Sequence, residues 1–137
     1  MKRFYQCAVR LQAAMKDRCS TSNVASVYIA ADNNYAKLRI QSWDSSKSFK
    51  AASDIEVLHI GKSRFKEFDN LDLAYQRVWG ELKVLIESAC IVMSHSKFSY
   101  MGSDLSPQQP RCAVMHDDCE DRAVRDAVSS LHLPCTA

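Results

Sequence analysis

Residues 70–93 read NLDLAYQRVWGELKVLIESACIVM, the longest apolar-periodic stretch in the chain. Leu71, Tyr75, Val78, Leu82, Leu85, Ala89 and Val92 recur at alternating steps of four and three, which is one face of a helix. Asp69 or Asn70 is placed to cap the first turn, and Asp72 sits where the helix dipole favours negative charge. Gln76, Arg77, Glu81, Lys83 and Glu87 fall on the outward positions. Gly80 costs a helix about 1 kcal/mol relative to alanine, so another element is expected to approach closely beside Trp79. From Val84 onward the apolar residues spread to both sides, through Ile86, Cys90, Ile91 and Met93. The C-terminal half of this helix is therefore expected to be the better covered.

On the N-terminal side, residues 2–19 read as an amphipathic helix with Phe4, Cys7, Ala8, Leu11, Ala14 and Met15 on one face. Residues 20–23, STSN, end it with turn-forming side chains. Residues 24–31 suit a strand, Asp32-Asn33-Asn34 a turn, and residues 35–43 a second strand. In that second strand Leu38 and Ile40 face one way, and Lys37, Arg39 and Gln41 the other. Phe49 to Ala52 extends or begins a third strand, and Ile55 to Ile60 forms a firmer one that stops at Gly61. The order is α-β-β-β-α. The expected fold is α+β, a small antiparallel sheet of about three to four strands with the helices on one face. That order also occurs in double-stranded-RNA-binding domains. Their second helix opens with a Lys-Lys signature where this chain has Asp69, Asn70 and Asp72, so the likeness is one of topology.

On the C-terminal side, residues 94–111 are polar, contain Gly102, Pro107 and Pro110, and read as a long loop. Cys112 to Met115 suits a short edge strand. A last helix is expected from Asp117-Asp118 to about Leu131, with Cys119, Ala123, Val124, Ala127, Val128 and Leu131 on its apolar face. Residues 112–137 thus form a helical appendage to a single domain spanning residues 1–137. No internal repeat is visible in the residues themselves. No run of about 18 apolar residues suggests a membrane span. The start MKRFYQCAVRLQAAMKDRC lacks the uninterrupted apolar segment of a secretory signal. The six cysteines are therefore expected as reduced thiols in the cytoplasm.

Charge is unevenly spread. Residues 1–66 hold 12 Lys or Arg against 5 Asp or Glu, net +7; residues 67–137 hold 6 against 11, net −5. The halves either attract each other across the fold or turn a basic face to an acidic partner. For nucleic acid, the candidate surface is Lys37 and Arg39, Lys47 and Lys50, then Lys62, Arg64 and Lys66, with Tyr35, Trp43, Phe49 and Phe65 interleaved. Rings can stack on bases while ammonium groups hold phosphate. The bland alternative is that the rings point inward and the charges are the solvated backs of strands.

The metal candidate is Cys112-x3-His116-x2-Cys119 with Cys135 further on, four ligands of the kind structural zinc uses at a non-standard spacing. Buried or free thiols account for the same residues. His116 with Asp117, Asp118 and Glu120 offers nitrogen and oxygen ligands, but acidic residues also favour any helix start. Gly61-Lys62-Ser63 follows a strand as a phosphate-binding loop would, yet its first glycine is replaced by Glu56. His59, His95, His116 and His132 are candidate bases, and Cys7 or Cys19 a candidate nucleophile, with nothing in the sequence to join them. No catalytic signature is present, and no cofactor is expected.

The reading these features support is a small non-catalytic protein-binding module with an accessible sheet edge. Regulators and virus- or phage-encoded inhibitors of host machinery are analogous in size and style. Nucleic-acid binding and structural zinc are the alternatives. No membrane partner is expected, and the last helix could serve a homodimer as well as a core.

Overall fold

A computed structural model of the chain describes residues 1–19, 26–31, 33–52, 71–108 and 112–131. The described elements are α1 (Lys2–Cys19), β1 (Val27–Tyr28), α2 (Asn34–Gln41), β2 (Phe49–Lys50), α3 (Leu71–Glu87), β3 (Cys90–Met93), α4 (Lys97–Asp104), β4 (Cys112–Met115) and α5 (Asp121–Ser129). The expected antiparallel sheet is not found among them. β1 pairs with β2 and β3 with β4, both in parallel, as two separate two-stranded sheets. A parallel pair needs a crossover, and α2 and α4 supply one each. The expected strand at residues 55–60 lies outside the described residues.

Three local readings explain the difference. Residues 35–41 are helical because Asn33 caps them. Its side chain accepts hydrogen bonds from the N–H groups of Tyr35 (2.8 Å) and Ala36 (3.4 Å). Ala36, Lys37, Leu38, Arg39 and Gln41 are all good helix formers, and their alternation of polarity over so short a run fits either period. The long helix ends at Glu87, and the Ser88 hydroxyl bonds back to the Leu85 carbonyl at 2.8 Å. Cys90 to Met93 then form a strand, so the two-sided apolar run after Val84 marks a change of element and not a better-covered helix. The expected loop at 94–111 contains α4, capped by Ser96, whose hydroxyl accepts from Ser99 N–H at 3.2 Å.

The core is shared out from α1. Cys7 and Leu11 pack with Cys112, Val114, Val124 and Val128. Ala8, one position round the helix, packs instead with Ile29, Ile40 and Phe49 of the first β-α-β unit. Val92 touches both clusters. A third cluster joins Ala74 and Val78 of α3 to Phe98 of α4. Gly102 permits this approach, since a Cβ there would sit 2.8 Å from the Leu85 Cβ. Two arginines of α1 clamp α5. Arg10 donates to the Cys119 carbonyl and lies 3.8 Å from Asp121, while Arg18 donates to the Val128 and Leu131 carbonyls at the helix's far end.

The expectation of reduced thiols is corrected. Cys7 is bonded to Cys119 and Cys90 to Cys112, and Cys19 is also disulfide-bonded. The second bridge joins residues in direct register on β3 and β4, with Cα atoms 4.6 Å apart. Disulfides persist in oxidising surroundings, so they do not fit the reducing cytoplasm inferred from the sequence. No described helix is long and apolar enough to cross a membrane.

Candidate functional site

The basic and aromatic surface expected over residues 35–66 is only partly assembled. Lys37 is 0% exposed, so it cannot meet phosphate. Its ammonium is ion-paired with Glu81 and donates to the Ala52 carbonyl at 3.0 Å. Glu81, expected on the outward face of α3, is buried with it, and Arg77 lies 3.9 Å away. Tyr35 is 65% exposed on α2. Arg39 lies over the Trp43 ring, 5.7 Å from its centroid, and the Trp43 carbonyl accepts a bond from the Tyr5 hydroxyl at 2.8 Å. Lys47 and Lys50 are exposed. Lys62, Arg64 and Lys66 lie outside the described residues. The two oppositely charged halves thus meet each other in part, through the exposed Arg10–Asp121 pair and the buried Lys37–Glu81 pair.

The proposed zinc ligands are divided. Cys112 and Cys119 are each half of a different disulfide, and a thiolate is what zinc requires. His116 stacks on Phe4 at 4.3 Å, and Cys135 lies outside the described residues. No described cluster of three or more His, Cys, Asp or Glu is arranged to hold a metal.

Two other features draw attention. The first is the outward face of α3. Leu73, Trp79 and Val84 are exposed there, Trp79 to 59%. Gly80 sits among them, and no described atom lies within 4 Å of a Cβ built on it. The element expected beside Trp79 is not found among the described residues.

The second lies past the C-terminal ends of β3 and β4, where ligands gather in parallel α/β units. Met93 faces Met115 in the register, and two residues further on His95 meets Asp117. His95 Nε2 is 2.8 Å from Asp117 Oδ2, and its Nδ1 is 3.4 Å from the Tyr100 hydroxyl. The bond to His95 holds the Asp117 carboxyl below the usual carboxylate range. Both loops are pinned. His116 N–H donates to the Met93 carbonyl at 3.0 Å, and the Ser99 hydroxyl donates to the Ser94 carbonyl at 2.6 Å. Beside Asp117 a cavity of about 210 Å³ is walled by Arg3, Gln6, Arg10, His116 and Glu120. A larger cavity of about 530 Å³, walled mainly by apolar side chains such as Ala8, Leu11, Ile29 and Val92, opens between α1, β1 and β3.

Sequence reasoning named His95, His116 and Asp117 but had no means of pairing them. It missed Tyr100, and it took Trp79 as the neighbour of a packing contact. The juxtaposition of His95 and Asp117 depends on strand register, and exposure of Trp79 on what does not cover it. No family profile, curated protein or solved structure matches the chain.

Proposed function

We propose that this chain is a protein-binding module whose contact surface is the outward face of α3. The observation that carries the reading is the 59% exposure of Trp79 beside Gly80, with no described atom within 4 Å of a Cβ placed on the glycine. Tryptophan is the side chain most enriched among residues that dominate interface energies. A glycine next to it lets a partner backbone come close, as Gly102 does inside the protein against Leu85. The occupant that fits is a helix of the partner whose apolar stripe seats on Trp79 and passes over Gly80. The module would work where its cystines persist, in an oxidising setting and not the reducing cytoplasm.

The test is capture from nuclease-treated extract with wild type, Trp79→Ala, and a Lys47→Glu/Lys50→Glu double variant. A specific protein retained by wild type and the lysine variant, and lost with Trp79→Ala, supports the reading. Capture that nuclease removes, weakens steeply with salt and depends on the two lysines returns the function to nucleic acid.

A further inference from the structure

The cluster beyond β3 and β4 has a second property that owes nothing to α3. We propose that Asp117, His95 and Tyr100 form an acid–base relay that makes Tyr100 a nucleophile toward activated carboxylic esters. The arrangement is nucleophile, base and orienting group in a row, brought together from α4, the β3–α4 loop and the β4–α5 loop. Asp117 accepts the Nε2–H of His95 at 2.8 Å. That choice of tautomer leaves the Nδ1 lone pair facing the Tyr100 hydroxyl, 3.4 Å away. Reacting hydrogen bonds are commonly this long before a substrate is bound.

The chemistry closes. The Tyr100 O–H bond breaks and its proton passes to His95 Nδ1, forming an imidazolium that the Asp117 carboxylate stabilises. The phenolate oxygen bonds to the ester carbonyl carbon, and the leaving alcohol departs with the proton from Nδ1. A water, deprotonated by the same nitrogen, then cleaves the acyl-tyrosine to a carboxylic acid and restores Tyr100. Asp117 acts through His95, so it is a positioning residue. The cluster opens to solvent, which suits a short acyl group and not a long chain.

The probe is p-nitrophenyl acetate with the intact, disulfide-bonded protein. Tyr35 is the internal control, because it is more exposed than Tyr100 and has no described histidine bonded to it. The expected result is an initial release of p-nitrophenolate, with acetyl mapped by mass spectrometry to Tyr100 at least ten times faster than to Tyr35. Tyr100→Phe and His95→Gln abolish that labelling. Asp117→Asn lowers it at least ten-fold and moves its pH midpoint, with an unchanged circular dichroism spectrum. Equal labelling of Tyr35 and Tyr100, acetyl on lysines alone, a stable acyl group on His95, or Asp117→Asn behaving as wild type would each overturn the proposal.

Discussion

The buried Lys37–Glu81 pair sets up a double-mutant cycle with an asymmetric outcome. Both side chains are removed from water, at 0% and 2% exposure, and the pair ties α2 to α3. Breaking such a pair from one side costs about 3–5 kcal/mol, because the surviving charge is left buried. The two sides differ here. Lys37→Met leaves Glu81 with Arg77 still 3.9 Å away, so the low end, about 3 kcal/mol, is expected. Glu81→Leu leaves the Lys37 ammonium with the Ala52 carbonyl as its remaining acceptor among the described residues, and the high end, about 5 kcal/mol, follows. The double variant holds no lone buried charge from the pair, and it should lie within about 2 kcal/mol of wild type. Urea unfolding followed by circular dichroism measures all four corners. A domain of this kind has about 5–15 kcal/mol in total, so Glu81→Leu alone should be marginal and the double variant well folded. Additive losses, with the double variant worse than either single, would refute the argument.

Other perturbations test other parts of the fold. Gly80→Ala should raise stability by about 0.5–1 kcal/mol, since the new methyl has no described atom within 4 Å; Gly102→Ala should lower it by about 1–2 kcal/mol despite better helix propensity, since the methyl meets Leu85 at 2.8 Å. Reversal of either sign in thermal melts would misplace α3 or α4. Asp44 is subject to desolvation, which raises its pKa, but bonds from Ser46, Phe49 and Ser48 together hold it below its ordinary value. A depressed carboxyl contributes stability above its unfolded pKa, and that contribution fades as pH falls through the folded value. Wild type should therefore lose more stability than Asp44→Asn on acidification below the ordinary carboxylate range, and parallel pH curves would count against the loop geometry. Reduction of Cys7–Cys119, which spans 112 residues, should cost about 4–5 kcal/mol by loop entropy, and that of Cys90–Cys112, spanning 22, about 3 kcal/mol. Non-reducing peptide maps should contain both linked pairs, and a map with neither would restore the reduced-thiol reading.

How much could be read in advance depends on where the deciding interaction lies along the chain. The faces of α1 and α3 were legible because a helical stripe is local: Cys7, Ala8, Leu11, Val78 and Leu82 are buried where the period of 3.6 puts them. β4 was legible from its bounds. Residues 35–41 were not, because seven residues of alternating polarity satisfy both periods and the arbiter was the Asn33 cap. β3 was hidden by its own burial, since a covered parallel strand is a continuous apolar run and extends a helix pattern without a break. Cys7 and Cys119 lie 112 residues apart, and no spacing rule reaches that far. Glu81 looked like a surface residue because its partner, Lys37, is 44 residues away. The candidate site was the least legible of all: its pairing is a matter of register between strands, which sequence alone does not supply.

The two β-α-β units repeat their spacing. β1 and β3 begin at 27 and 90, α2 and α4 run 34–41 and 97–104, and β2 and β4 begin at 49 and 112, an offset of 63 each time. The helices share a capping position as well, Asn33 and Ser96. Yet no residue from 27 to 52 matches its counterpart from 90 to 115, which is why the sequence shows no repeat. What repeats is the geometry of a short parallel crossover. The side chains at equivalent places have gone different ways. Lys37 and Tyr100 occupy the same position in their units, one turned inward onto Glu81 and the other exposed beside His95. The first unit uses that position for a structural ion pair, and the second places there the hydroxyl of the proposed relay. α3 braces both units, holding α2 through Glu81 and α4 through Leu85 against Gly102. Its inner side is taken up by these contacts, and Trp79, exposed on another side of the same helix, is the residue on which the proposed protein contact rests.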